Sequence, residues 1–177
     1  MYDEKALEVF GTVTQALSAG DIDRLETLAA TINGFPLGGD PCFQDSWFMR
    51  AIGAGCSARV IDWMMDQGCD PAFVSETMSW PIQTACWAEP FNPDVAQALL
   101  DRGAGIDQAD ELGCTALHIA ALGGRSDVVT WLLAQGANPW AVQTDDWGRD
   151  PYPLDLVNRD AHPEIADALA AAMDARD

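Results

Sequence analysis

Two short phrases recur along this chain at a nearly fixed interval, and no other feature restricts its fold so tightly. Leu99-Leu100-Asp101-Arg102-Gly103-Ala104 returns 33 residues later as Leu132-Leu133-Ala134-Gln135-Gly136-Ala137. A looser version, Met64-Met65-Asp66-Gln67-Gly68-Cys69, stands 35 residues before the first. Each joins two bulky apolar residues that close a helix to a glycine suited to the left-handed helix-end conformation. The second phrase keeps step with the first. Its clearest copy is Thr115-Ala116-Leu117-His118-Ile119-Ala120-Ala121, with looser copies starting at Trp47, Trp80 and Tyr152. On this alignment Trp47 and Trp80 occupy equivalent places at the starts of first helices.

The stretch from Asp110 to Val142 resembles one complete ankyrin repeat. Asp110-Glu111-Leu112-Gly113 is similar to the D-x-x-G hairpin of that family, and Thr115-Ala116-Leu117-His118 to its T-P-L-H. Asp127-Val128-Val129-Thr130-Trp131-Leu132-Leu133 and Gly136-Ala137 supply the second helix and its stop. The resemblance fades toward both ends: the unit from Cys42 to Val74 has Asp45 where the hairpin glycine belongs, and the first unit lacks the hairpin. It implies an all-α solenoid of about five helix-turn-helix units with short β-hairpin fingers and divergent caps. The approximate units are 1–41, 42–74, 75–109, 110–142 and 143–177, forming a single domain. It also implies that His118 hydrogen-bonds backbone between neighbouring repeats.

The helices are legible without the family. Ala6, Phe10, Val13 and Leu17 recur at helical spacing, as do Ile22, Leu25, Leu28 and Ile32. Asp21 is placed to cap the second of these helices after a break at Gly20. The pair forms an N-terminal cap over the next repeat. His162 to Ala175 predicts a last helix with Pro163 in its first turn. Between the two ends, residues 34–44 are non-periodic and expected to be an ordered loop that buries Phe35, Leu37 and Phe43.

Charge narrows the partners. With 28 Asp and Glu against 9 Lys and Arg, the formal charge is −19. Such a field repels nucleic acid and anionic membranes and steers a basic partner inward. No apolar run reaches the ~20 residues that span a bilayer, and the acidic N-terminus is unlike a signal peptide. The expected location is the cytoplasm. The five cysteines, Cys42, Cys56, Cys69, Cys86 and Cys114, show no paired spacing and are expected as unpaired thiols.

Catalysis finds no candidate residues. His118 and His162 stand where the resemblance implies structural histidines, and Cys114, four residues before His118, should point to the hairpin side. Asp21-Ile22-Asp23 is explained by helix capping rather than metal binding. No phosphate-loop, dinucleotide or nucleophile-elbow motif is present. No cofactor, metal site or catalytic group is expected.

A protein-binding surface is better supported. Trp63 and Trp131 are expected in the packing of second helices, whereas Trp87, Trp140 and Trp147 fall near helix ends and hairpins as interface anchors. Similarity to ankyrin proteins implies a partner surface of hairpin tips together with the inner face of the first helices. The candidate partner-binding residues are Glu76, Trp87, Glu89, Phe91, Asp110, Glu111, Leu112, Cys114, Leu122, Trp140, Asp145, Asp146 and Trp147. An acidic surface bearing Trp suits a basic protein whose arginines pair and stack at once. The expected function is non-enzymatic binding by a monomer. Its concrete versions are an inhibitor or immunity protein of a basic toxin, and an adaptor or secreted effector that binds a host or regulatory protein; the less favoured rival is an enzyme with a site in the inserted loops around residues 89–93 or 149–151.

Overall fold

Several of the helices begin where the sequence supplies a capping side chain or a proline. A computed structural model describes residues 4–40, 46–73, 79–144 and 149–176. In these it forms α1 (Glu4–Ala19), α2 (Ile22–Thr31), α3 (Trp47–Gly53), α4 (Ala58–Asp66), α5 (Pro81–Trp87), α6 (Pro93–Asp101), α7 (Ala116–Leu122), α8 (Ser126–Ala134) and α9 (Pro163–Asp174). A 3-10 helix, Pro153–Leu156, precedes α9. Asp21 caps α2, its carboxylate accepting from the Arg24 N–H at 3.1 Å. Pro81, Pro93, Pro153 and Pro163 stand at first helical positions, where the missing N–H has no partner to lose.

The helices pack in antiparallel pairs: α1 on α2, α3 on α4, α5 on α6, α7 on α8, and the 3-10 helix on α9. First members follow one another in a row, α1 on α3, α3 on α5, α5 on α7 and α7 on the 3-10 helix. Second members touch as α4 on α6 and α8 on α9. The recurrent apolar positions become the shared core. Met64, Leu99 and Leu132, equivalent residues of α4, α6 and α8, are all fully buried, as are Ile82 and Leu117 of the first row. Each such leucine contributes about 1.5–3 kcal/mol through the area it removes from water. The glycine stop works as the phrase predicts: Gly136 adopts φ +91° while the Leu132 carbonyl accepts from the Ala137 N–H at 3.0 Å.

Two expectations are corrected. Ser46, Trp80 and Thr115 are the residues preceding α3, α5 and α7, so Trp47 matches Pro81 and Ala116 rather than Trp80. The one-residue offset has a packing cause. Trp47 is buried, stacked on Phe10 of α1 at 5.9 Å and edge-on to Phe35 at 5.8 Å, and so seals the N-terminal pair onto α3. Trp80 instead donates its indole N–H to the Ala109 carbonyl at 2.9 Å. In the loop after α2, Phe35 is buried as expected but Leu37 is 63% exposed. The loop is held by Asp40, a buried carboxylate 2.9 Å from the Arg50 guanidinium, which itself lies 5.0 Å from the Phe10 ring centre. Phe43 lies outside the described residues.

Among the described residues there is no strand, and the strand-type pairing present is an isolated bridge between Gly39 and Ser46. Among the described residues, the connections between units, where the resemblance implies hairpin fingers, hold turns. No helix among the described residues is long and apolar enough to cross a membrane.

Candidate functional site

The first helices, α3, α5 and α7, each have seven residues, so each spans roughly 10 Å from one edge of the stack to the other. This separates the candidate residues into two groups. At the starts of these helices lie the inter-unit turns, with Asp110, Glu111, Leu112 and Cys114. At their ends lie Trp87 and Leu122, the last residues of α5 and α7, together with the Ala88–Asn92 loop that carries Glu89 and Phe91. Glu76, Asp145, Asp146 and Trp147 lie outside the described residues.

The turn end is closed by side chains rather than by a ladder. Asp110 accepts from the Leu112 N–H at 2.9 Å and the Cys114 N–H at 2.8 Å through one carboxylate oxygen. The Gly113 N–H donates to the Asp110 carbonyl at 3.0 Å. A carboxylate two residues before its N–H donor is a local Asx turn, which competes with strand pairing. Asp110 is therefore occupied in shaping the turn, which leaves the exposed Glu111 as its free acidic neighbour. The Leu112 carbonyl accepts from the Thr144 N–H at 2.7 Å, tying this turn to the next connection. Gly113, at φ +84°, passes so close to the Val142 carbonyl that a Cβ would collide with it. Trp140 packs edge-on against Tyr152 at 5.4 Å and is 38% exposed.

Buried polar groups fasten the turns to the helices. Gln83 of α5 accepts from the Trp80 N–H at 3.1 Å and donates from Nε2 to the Cys114 carbonyl at 2.7 Å. His118 holds the same position in α7. Its Nδ1 accepts from the Thr115 N–H at 3.2 Å and lies 2.9 Å from the Thr115 hydroxyl. Nε2 is buried with no well-formed hydrogen bond, although the Pro151 and Ala141 carbonyls lie near enough to favour its protonated form. Burial outweighs them and holds the imidazole below its ordinary pKa. The inter-unit role implied for His118 is thus one of close approach to the next connection, while its formed hydrogen bonds are local.

The opposite end is the more open one. Trp87 is 63% exposed and Leu122 70% exposed. Arg125, from the loop between α7 and α8, reaches back under Trp87. Its Nη1 donates to the Trp87 carbonyl at 3.4 Å and to Glu89 at 3.3 Å, and its Nη2 to the Ala88 carbonyl at 3.4 Å. Asp127 stands 3.5 Å from its Nε. Gly53, Trp87, Ala88, Glu89, Gly123 and Arg125 line a cleft of about 430 Å³. Phe91 takes no part, because it turns to the second row and packs edge-on against Trp131 at 5.5 Å. The sequence analysis missed Gly53, Gly123 and Arg125. Only the observed helix ends make Gly53, Trp87 and Leu122 equivalent.

A model of ankyrin repeats in three copies matches residues 48–143, just over half of the chain. The chain is an ankyrin-repeat protein. This ankyrin array is also similar to protein phosphatase 1 regulatory subunit 27 of Homo sapiens and of Mus musculus, each 36% identical over 69 residues. That match covers 39% of this chain and 42% of the relative, so the chain spans less than half the length of the curated relatives it matches.

The described thiols of the ankyrin scaffold are wholly or partly buried. Cys56, Cys69 and Cys86 are buried and free, and burial pushes Cys69 and Cys86 up to about 12. Cys114 is pushed up to about 11, by burial first and by the Asp110 charge second. Its Sγ is directed at the Thr115 carbonyl, so it forms no thiol–imidazole pair with His118. Cys42 lies outside the described residues. Among the described residues no group of three or more His, Cys, Asp and Glu is arranged to hold a metal ion.

Proposed function

We propose that this ankyrin-repeat protein is a non-enzymatic binding module whose acidic, Trp-bearing surface takes a basic protein partner. The observation that carries the proposal is the exposure of Trp87 and Leu122 at the ends of successive first helices, in a chain of net charge −19. Large apolar side chains left in water beside one another mark a contact surface, and the negative field selects the sign of what meets it. In this proposal the chain works in the cytoplasm as a monomer when free. It is a stack of five units whose connections act as fingers, so Leu112, Glu111 and Trp140 form a second contact zone together with Glu76, Asp145, Asp146 and Trp147.

Two concrete roles fit. One is an inhibitor that covers the positive cleft of a toxin, as an immunity protein does. The other is an adaptor or regulator, which the similarity to regulatory subunits of protein phosphatase 1 favours. The test is capture by the immobilised protein, compared with a Trp87→Ala/Leu122→Ala variant of unchanged far-UV circular dichroism. Mass spectrometry should identify a basic protein, retained by the wild type, released as salt rises and lost from the variant. Equal capture by both forms, or a captured protein that is acidic, would sink the proposal.

A further inference from the structure

The cleft at the loop end of the stack has a composition of its own. One wall is Trp87, whose Cζ3 lies 3.6 Å from where a Cβ of Gly123 would be. The indole thus rests over a residue with no side chain. Gly53, the equivalent last residue of α3, also lines the cleft and has none either. Two glycines lining the cleft with an exposed tryptophan leave its surroundings open where larger residues would cover it. The space of about 430 Å³ is ample for a long side chain.

Charge decides what enters. The cation of the cleft, Arg125, is only 16% exposed and is already engaged by Glu89, Asp127 and two carbonyl oxygens. It offers little to an anion. Glu89 is 79% exposed and meets Arg125 through one oxygen at 3.3 Å, a long contact, so it keeps acceptor capacity toward solvent. An electron-rich indole face beside such a carboxylate fits a planar cation that stacks and donates at once. Lysine, a strongly hydrated point charge, can pair with Glu89 but does not stack in the same way.

We infer that the cleft between Gly53 and Arg125 receives an arginine side chain of the basic partner, its guanidinium stacked on Trp87 and hydrogen-bonded to Glu89. This rests on the basic-partner proposal above and names its anchor.

The experiment titrates the full-length protein with hexa-arginine and with hexa-lysine peptides at low and physiological salt. Isothermal titration gives affinity, and the Trp87 indole N–H resonance, assigned with Trp87→Phe, reports the site. Gly53→Leu adds bulk to a residue that lines the cleft, and a Cβ there meets only Thr84 Cγ2 at an ordinary 3.5 Å. The expected result is a preference of about tenfold for hexa-arginine, with the Trp87 resonance shifting to saturation. Trp87→Ala and Gly53→Leu should each reduce affinity about tenfold, and Trp87→Phe less. Trp140→Ala, at the other end of the stack, should change it less than about twofold.

Undiminished binding to both Trp87→Ala and Gly53→Leu would overturn the cleft as anchor while leaving the basic-partner proposal standing. Equal affinity for hexa-lysine would overturn the stacked guanidinium. No binding of either peptide at low salt would overturn both proposals. Should Gly53→Leu fail to fold, the exposed Trp87→Ala substitution decides the question alone.

Discussion

Replacing Gly113 by alanine tests whether neighbouring connections of the stack are locked together as closely as their geometry indicates. Two costs add. Gly113 sits at φ +84°, and forcing an L side chain there costs about 1–2 kcal/mol. The new methyl would also collide with the Val142 carbonyl, which is backbone and cannot rotate aside. Relief requires the 142–144 arm to move off, which breaks the 2.7 Å hydrogen bond from the Thr144 N–H to the Leu112 carbonyl. A lost hydrogen bond of this kind costs about 0.5–1.5 kcal/mol, so the total is about 1.5–3.5 kcal/mol. Gly136→Ala is the control, because Gly136 has φ +91° but nothing within 4 Å of its would-be Cβ. It should show the conformational cost alone, about 1–2 kcal/mol. The assay is urea unfolding followed by far-UV circular dichroism and by tryptophan fluorescence. Both probes are needed because a repeat array can lose one end before the other. In thermal scans roughly 2–4 °C corresponds to each kcal/mol for a chain of this size. If Gly113→Ala costs no more than Gly136→Ala, the close approach to Val142 does not exist in solution.

Two further outcomes follow from the buried titratable groups. His118 is held below its ordinary pKa of 6.5, so the unfolded chain binds its proton more readily than the folded one. Its neutral-form contribution is complete above pH 6.5 and is lost as pH falls below that value. Between pH 7 and pH 5 the wild type should therefore lose more stability than His118→Gln, a residue that Gln83 shows to be accommodated at this position. Parallel pH profiles would refute this. The thiols give the second outcome. With burial pushing Cys69 and Cys86 up to about 12, their thiolate population at pH 8 is far below that of the unfolded chain. Alkylation mapped by peptide mass spectrometry should spare both residues in native buffer and reach them in urea, and rapid native labelling would contradict their burial.

The tryptophans show how far residue-by-residue reading extends. Trp63 and Trp131 are packing residues as their spacing predicts, and Trp87 ends its helix in water as expected. The recurrent phrase aligns Trp47 one residue off, because it records similarity and not which indole the core claims. Phe91, expected at the surface, packs on Trp131, because its loop carries two residues more than the equivalent loop before α8. Asp110 lies in the expected turn, yet its carboxylate is used in holding that turn.

By itself the sequence determined the architecture. A helix pair is specified by apolar spacing, caps and stops that lie within a few residues of one another. Repetition of that pair at about 33 residues leaves stacking as the way to bury its faces. The tertiary structure alone decided the surface. The loops between first and second helices span residues 54–57, 88–92 and 123–125, three different lengths, so side chains from neighbouring units meet in combinations no single unit encodes. That is why Gly53, Trp87 and Gly123 come to share a cleft, why Arg125 lines it with them, and why the turn from Asp110 to Cys114 stands a helix length away.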